Sequence, residues 1–144
     1  MSGLPPRLQS ILDDLSFFPE RTERIQALIS LADRYSAPDR PKPYPEEHRV
    51  PGCESEAFVW VETDSDGGLV IDFAVENPQG ISAMAMGVIL GDALRGEPPA
   101  MAARIPEEIV YEIFGRELSM GKSMGLMGMV RVTKFLAGRL AGRG

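Results

Sequence analysis

The sequence predicts an α+β fold, a small antiparallel β-sheet packed against several helices. Three observations carry this reading. Two stretches with helical spacing of apolar residues come first. Two strand-like stretches follow around the turn "DSDGG". Everything after residue 80 returns to helical spacing. Segregation of strands from helices makes an α+β protein rather than an alternating α/β sheet. The length of 144 residues suits one domain with one core, residues 1–144.

The elements follow in order. "PPRLQSILDDLSFF" sets Leu4, Leu8, Ile11, Leu12 and Leu15 at helical spacing, and Pro19 interrupts. "RTERIQALISLADRY" aligns Ile25, Leu28, Ile29, Ala32 and Tyr35 on one stripe, the clearest helix in the chain. It stops at "SAPDRPKPYP", where four prolines make a stiff, extended connector. A short strand is expected over residues 47–50 and a longer one over 55–63. The run "AFVWV" in the second predicts cover on both faces. After the turn, "LVIDFAVE" alternates, with Leu69, Ile71, Phe73 and Val75 on one side and Asp72 and Glu76 on the other.

"ISAMAMGVILGDALRG" is a helix of small residues suited to close packing on a sheet, with Gly96 as its C-terminal stop. "PPAMAARIPEEIVYEIF" gives one or two short helices broken at Pro106. The last helix is expected to start near Ser123. It carries a broad apolar face that includes Met127, Val130, Val132, Phe135 and Leu136, with Lys134 among them.

Composition excludes several classes of function. Hydrophobic residues at 44% and charged residues at 25% fit a globular protein, and no apolar run is long enough to span a bilayer. The N-terminal stretch lacks the basic start and long apolar block of a secretory signal. With one cysteine no internal disulfide is available, and a cytoplasmic setting is expected. A structural zinc site takes about four ligands, typically Cys and His. One Cys and one His do not supply them.

The net charge of −6 argues against nucleic acid as a partner. The charge is uneven. From Gly115 onward six basic residues, Arg116, Lys122, Arg131, Lys134, Arg139 and Arg143, oppose Glu117 alone, which leaves +5 there and −11 elsewhere. A basic helix face beside an acidic body accounts for this.

Each candidate motif has a plainer reading. "GKS" at 121–123 resembles the end of a phosphate-binding loop, but that motif needs a glycine where Arg116 stands, and no strand precedes it. Gly121, Gly125 and Gly128 read better as sites of tight helix packing. Met84, Met86, Met124, Met127 and Met129 either fill gaps in the core or form an adaptable binding surface. His48 and Cys53 suggest a nucleophile–base pair. A proline and a glycine separate them, however, and no third group to orient the histidine is evident.

Cys53 stands apart. Pro51 and Gly52 mark a turn, turns lie at the surface, and Gly52 frees the backbone beside the thiol. Glu54 and Glu56 make poor company for an apolar pocket. The thiolate is the nucleophile, and neighbouring carboxylates disfavour that anion, with Arg49 offsetting part of their effect. The residues therefore describe an accessible thiol that is activated when a partner arrives.

Three blocks carry a family resemblance. "RVPGCESEAFVW" resembles the V-x-G-C-Q-S loop of the SufE family of sulfur acceptors. "RIQALISLADRY" resembles that family's second helix, and "LSMGKSMGLMGMVRVTKFL" resembles its L-S-x-x-R-x-x-G-L-x-x-M block. The similarity covers about residues 21–140. It implies a SufE/IscU-like fold. It also implies a role in iron–sulfur cluster assembly and cysteine desulfuration.

In that role Cys53 takes persulfide sulfur from a SufS-like cysteine desulfurase, stimulates it, and passes sulfur to a cluster scaffold. Pyridoxal phosphate is then the desulfurase's cofactor and this chain needs none. The resemblance makes Cys53 the reacting group and places Gly52, Glu54, Ser55 and Lys122 at the partner-binding loop or docking surface. Cys53 is expected at a loop tip, turned into a shallow apolar pocket when free. Three departures stand out: Glu54 replaces the usual glutamine, Lys122 the usual arginine, and "NPQG" the usual acidic D-S-D-A segment. Lys122 keeps the charge without arginine's paired hydrogen bonds. Two other classes compete with this reading, an adaptor that binds through Met-rich helices and a Cys–His hydrolase.

Overall fold

The computed structural model describes residues 3–142. Arg143 of the basic tail and the first two residues of the N-terminal stretch lie outside the described residues. The order of elements is α1 (Pro6–Leu15), α2 (Arg21–Ala32), β1 (Ala57–Thr63), β2 (Leu69–Val75), α3 (Ile81–Leu94), α4 (Ile109–Phe114) and α5 (Met120–Ala141). Short 3-10 segments lie at Glu46–His48 and Pro99–Arg104. The fold is α+β, as the segregated pattern predicts.

β1 and β2 form a two-stranded antiparallel hairpin in which Ala57 faces Val75 and Thr63 faces Leu69. Side chains alternate across the hairpin, so each face acquires its own core. Val59, Leu69, Phe73 and Val75 join the main core with α3 and α5. Phe58, Trp60 and Ala74 point the other way and form a second cluster with Tyr44. The proline connector closes this outer face. Tyr44 meets Phe58 and Trp60 at ring-centroid distances of 5.2 Å each. Arg40 lies 4.7 Å over the Trp60 ring and pairs with Glu62 and Asp72, each at 3.0 Å. The cover on both faces of "AFVWV" is thus real, and the connector is a packed strap rather than a spacer.

α3 is the central helix. Ala83, Ala85, Met86, Gly87, Ile89, Leu90, Ala93 and Leu94 are all buried, because α1, α2, α5 and β2 pack around it. Gly87 permits a close approach there: a Cβ on it would lie 3.1 Å from the Phe73 ring, tighter than ordinary contact. The short strand expected at residues 47–50 is instead a 3-10 turn followed by a single bridge from Arg49 to Phe58. The His48 and Arg49 N–H groups donate to the carbonyls of Pro45 and Glu46 at 3.0 Å each, within the turn, and so are not free for a ladder.

α5 begins three residues before the expected Ser123, because Ser119 caps it by accepting from the Lys122 backbone N–H at 3.2 Å. Its apolar face is narrower than the sequence suggests. Met129, Val130 and Ala137 are buried, whereas Phe135 is 64% exposed. The α2 stripe also divides. Leu28 and Ala32 are buried, but Ile25 and Ile29 remain open to solvent.

The outer edge of β2 is closed at one end by a side chain. The Val75 N–H donates to the Tyr35 hydroxyl at 2.8 Å. Burial pushes the Tyr35 phenol above its ordinary value, and the bond from Val75 partly offsets this. Tyr35→Phe leaves a strand N–H without its acceptor. We expect it to lower stability by about 1–3 kcal/mol in urea unfolding monitored by Trp60 fluorescence.

Candidate functional site: a cysteine loop on a glycine stripe

The loop between Val50 and Ala57 is tied at its base, and its tip rests on neighbouring helices. The Val50 N–H donates to the Ala57 carbonyl at 2.8 Å, which closes the neck. The N–H groups of Glu76 and Asn77 donate to the carbonyls of Glu56 and Ser55 at 3.1 and 3.2 Å. Within the loop, the Glu56 N–H donates to the Cys53 carbonyl at 3.1 Å. Gly52 takes φ +72°, a conformation that glycine adopts without strain. Glu56 takes φ +54° without that freedom, so the chain bears a local cost to reverse direction there.

The tip lies along α5. A Cβ on Gly121 would meet Glu54 Oε1 at 2.9 Å, and one on Gly125 would meet Cys53 Cα at 3.2 Å and Sγ at 3.5 Å. A Cβ on Gly128 would meet Val50 Cγ1 at 3.0 Å. Residues 121, 125 and 128 share one helix face. The stripe that the sequence marks for tight packing therefore receives the cysteine loop itself. Gly80 does the same from the other side, where a Cβ would touch the Ser55 side chain at 2.8 Å.

Between these walls is an open cavity of about 390 Å³. Cys53, Glu54 and Ser55 line it from the loop, Lys122 and Gly125 from α5, and Ile81 and Ser82 from α3. The structure thus brings Cys53, Glu54, Ser55 and Lys122 together. Gly52 does not line the cavity and acts through the turn. Cys53 is half-buried, with one side against the core and the other toward the opening.

The charges differ from those the sequence suggests. Arg49 does not attend the thiol. It forms a bidentate pair with Glu46 at 2.7 and 2.9 Å and lies 4.6 Å over the Phe58 ring. These bonds hold the Glu46 carboxyl below its ordinary range. The nearby cation is Lys122. The first turn of α3 also lines the cavity, and its N-cap is Gly80, with no capping side chain. A helix N-terminus favours an anion. Sequence reasoning missed this contribution, and the only available signal was the glycine at the helix start.

His48 is directed elsewhere. Its Nδ1 lies 2.8 Å from the Val59 carbonyl oxygen, so Nδ1 carries the proton. Its ring stacks on Trp60 at 5.1 Å. It does not line the Cys53 cavity, and the Cys–His hydrolase loses its base. The methionines divide: Met86 and Met129 are fully buried, whereas Met124 is 58% exposed. Among the described residues no cluster of His, Cys, Asp and Glu could hold a metal ion. Among the same residues no helix is long and apolar enough to cross a membrane.

Residues 9–137 match the family described as "SufE: Fe-S metabolism associated domain". The chain belongs to the SufE family. Membership gives this SufE-family protein a role in iron–sulfur metabolism. No curated protein matches the sequence. Among solved structures, the chain is similar to a hypothetical protein from Thermus thermophilus whose structure was determined in solution. The TM-score is 0.73 at 22% identity, over 98% of this chain and 99% of the other. That likeness concerns the fold alone.

The glycine stripe makes a direct prediction. Gly125→Val places a branched side chain where Cys53 Cα lies. The loop should lift off α5, with stability falling by about 1–3 kcal/mol. Alkylation of Cys53 by iodoacetamide in the native protein should accelerate at least severalfold. An unchanged rate would mean that the loop does not rest on this helix.

Proposed function

We propose that the protein, as one SufE-like domain over residues 1–144, accepts sulfur from a SufS-like cysteine desulfurase and passes it to iron–sulfur cluster assembly in the cytoplasm. The observation that carries this reading is the half-buried thiol of Cys53 at the wall of an open cavity. Thiol–disulfide chemistry requires access for the attacking and the attacked sulfur along one line. A cysteine packed wholly in the core has no such path.

The step conserves atoms and electrons. The Cys53 thiolate attacks the outer sulfur of a persulfide held on the desulfurase cysteine. A new S–S bond forms on Cys53 as the donor's S–S bond breaks, and the donor cysteine leaves as a thiolate that takes up a proton. No external oxidant or reductant is needed. Pyridoxal phosphate works in the desulfurase, where it frees sulfur from cysteine before this transfer.

This chain's residues contribute position and charge. Gly52 lets the loop turn, and Ser55 and Glu54 set its tip against α3 and α5. Lys122 and the first turn of α3 present positive charge to an incoming persulfide anion, and Glu54 presents negative charge. Delivery to a cluster scaffold is the same exchange run outward.

The competing adaptor reading draws on the exposed Met120 and Met124, at 77% and 58%. The two separate on one substitution. With a cysteine desulfurase and cysteine, wild-type protein should gain the mass of one or more sulfur atoms at Cys53 and accelerate sulfide release. Cys53→Ser should gain none and lose the acceleration by at least about tenfold, the loss of an essential nucleophile. Undiminished acceleration by Cys53→Ser would establish the adaptor.

A further inference from the structure

A second, larger groove of about 610 Å³ adjoins the Cys53 cavity, and Ile81, Ser82 and Lys122 line both. It runs between α2, the first turn of α3 and the segment from α4 to the start of α5. Its apolar part is aliphatic and open: Ile25, Ile29 and Ile81 are 43%, 39% and 41% exposed. Clustered aliphatic exposure of this kind marks interaction surfaces.

The charge at its rim runs against that of the chain. The protein carries −6 overall. The groove gathers Arg21, Arg24, Arg116 and Lys122 against Glu112 and Glu117. Arg21 and Glu117 neutralise each other. The other three cations have no carboxylate partner among the described residues. Arg24 donates to the carbonyls of Phe18, Glu112 and Ile113 at 3.2, 2.9 and 3.1 Å. These bonds fix its position without cancelling its charge. Arg116 lies over the Tyr111 ring at 5.2 Å, its charge also retained.

We propose that this groove binds a segment of the sulfur-donating enzyme that presents aliphatic and acidic side chains, and so steers the donor persulfide into the adjoining cavity. The proposal rests on the sulfur-acceptor reading above. The aliphatic floor provides the contact area, and the unpaired cations Arg24, Arg116 and Lys122 select an acidic partner and raise the rate of encounter. Lys122 sits at the junction, so a docked carboxylate that engages it is already at the mouth of the thiol cavity.

The test is a titration of the cysteine desulfurase that loads Cys53, with sulfide release measured against acceptor concentration. Ile25→Glu and Arg116→Glu, both at surface positions, should raise the concentration for half-maximal stimulation by about tenfold or more, the scale of one interface anchor. Arg104→Glu, an equal charge reversal outside the groove, should leave it within about twofold of wild type. Added salt should weaken the wild-type response more than that of Arg116→Glu.

Thermal midpoints and Cys53 loading by inorganic polysulfide report the fold and the thiol of each variant. The milder pair Ile25→Ser and Arg116→Gln replaces any variant that does not fold. Wild-type titration curves from the groove variants would overturn the docking site while leaving the acceptor reading intact. Equal losses in the groove variants and Arg104→Glu would overturn it too, since bulk charge would then explain the effect. A concentration-dependent dimer of wild type, broken by Ile25→Glu, would overturn it by assigning the groove to a second copy. Failure of wild type itself to be loaded by the desulfurase would remove the reading on which the proposal rests.

Discussion

The apposition of the cysteine loop to the glycine face of α5 governs the rest of the site. A loop tip held by two or three backbone hydrogen bonds has no fixed position on its own. Here Val50, Cys53 and Glu54 rest in turn over Gly128, Gly125 and Gly121. Absence of Cβ atoms lets the backbones come closer than side chains allow. The surface beneath is rigid, because α5 is 22 residues long, capped by Ser119, and packed on β1, α3 and the Pro99–Arg104 segment. Small contacts at the tip are thereby referred to the whole core. The arrangement positions the thiol through close contact with α5 and the backbone hydrogen bonds that reach the loop from Glu76 and Asn77.

Charges of both signs face the space beside the thiol. Glu54 lies on the α5 side of the cavity, and Lys122 and the open first turn of α3 face the same space. These contributions have opposite sign and oppose one another in the isolated protein. A docked surface that excludes water strengthens every one of them. In the proposed acceptor role, a thiol that reacts only in the complex is shielded from adventitious oxidants. The groove proposed to dock the sulfur donor adjoins the same cavity, with Ile81, Ser82 and Lys122 lining both.

Much of this is legible in the sequence, for identifiable reasons. The Pro-Gly before Cys53 and the alternation in "LVIDFAVE" are local signals, and they lead to the right loop and the right hairpin. The glycines at 121, 125 and 128 announce close packing, but not what packs there. The identity of the neighbour is a tertiary fact, as is the open α3 N-terminus beside the thiol. Nearness in sequence assigns Arg49 to the thiol, whereas Glu46 and Phe58 hold it across the neck of the loop. The α2 stripe misleads in the opposite sense. Periodicity puts Ile25 and Ile29 on one stripe with Leu28 and Ala32, yet both stay open to solvent, and that division of the stripe is what makes the groove.

The central claim is that Cys53 is reached through the folded state. Its alkylation rate at a series of urea concentrations below the unfolding midpoint tests this directly. Reaction through the native opening or a small local lift of the loop predicts a rate almost independent of urea. A rate that climbs with urea as steeply as global unfolding would show that the thiol is released only when the protein comes apart, and the account would fail.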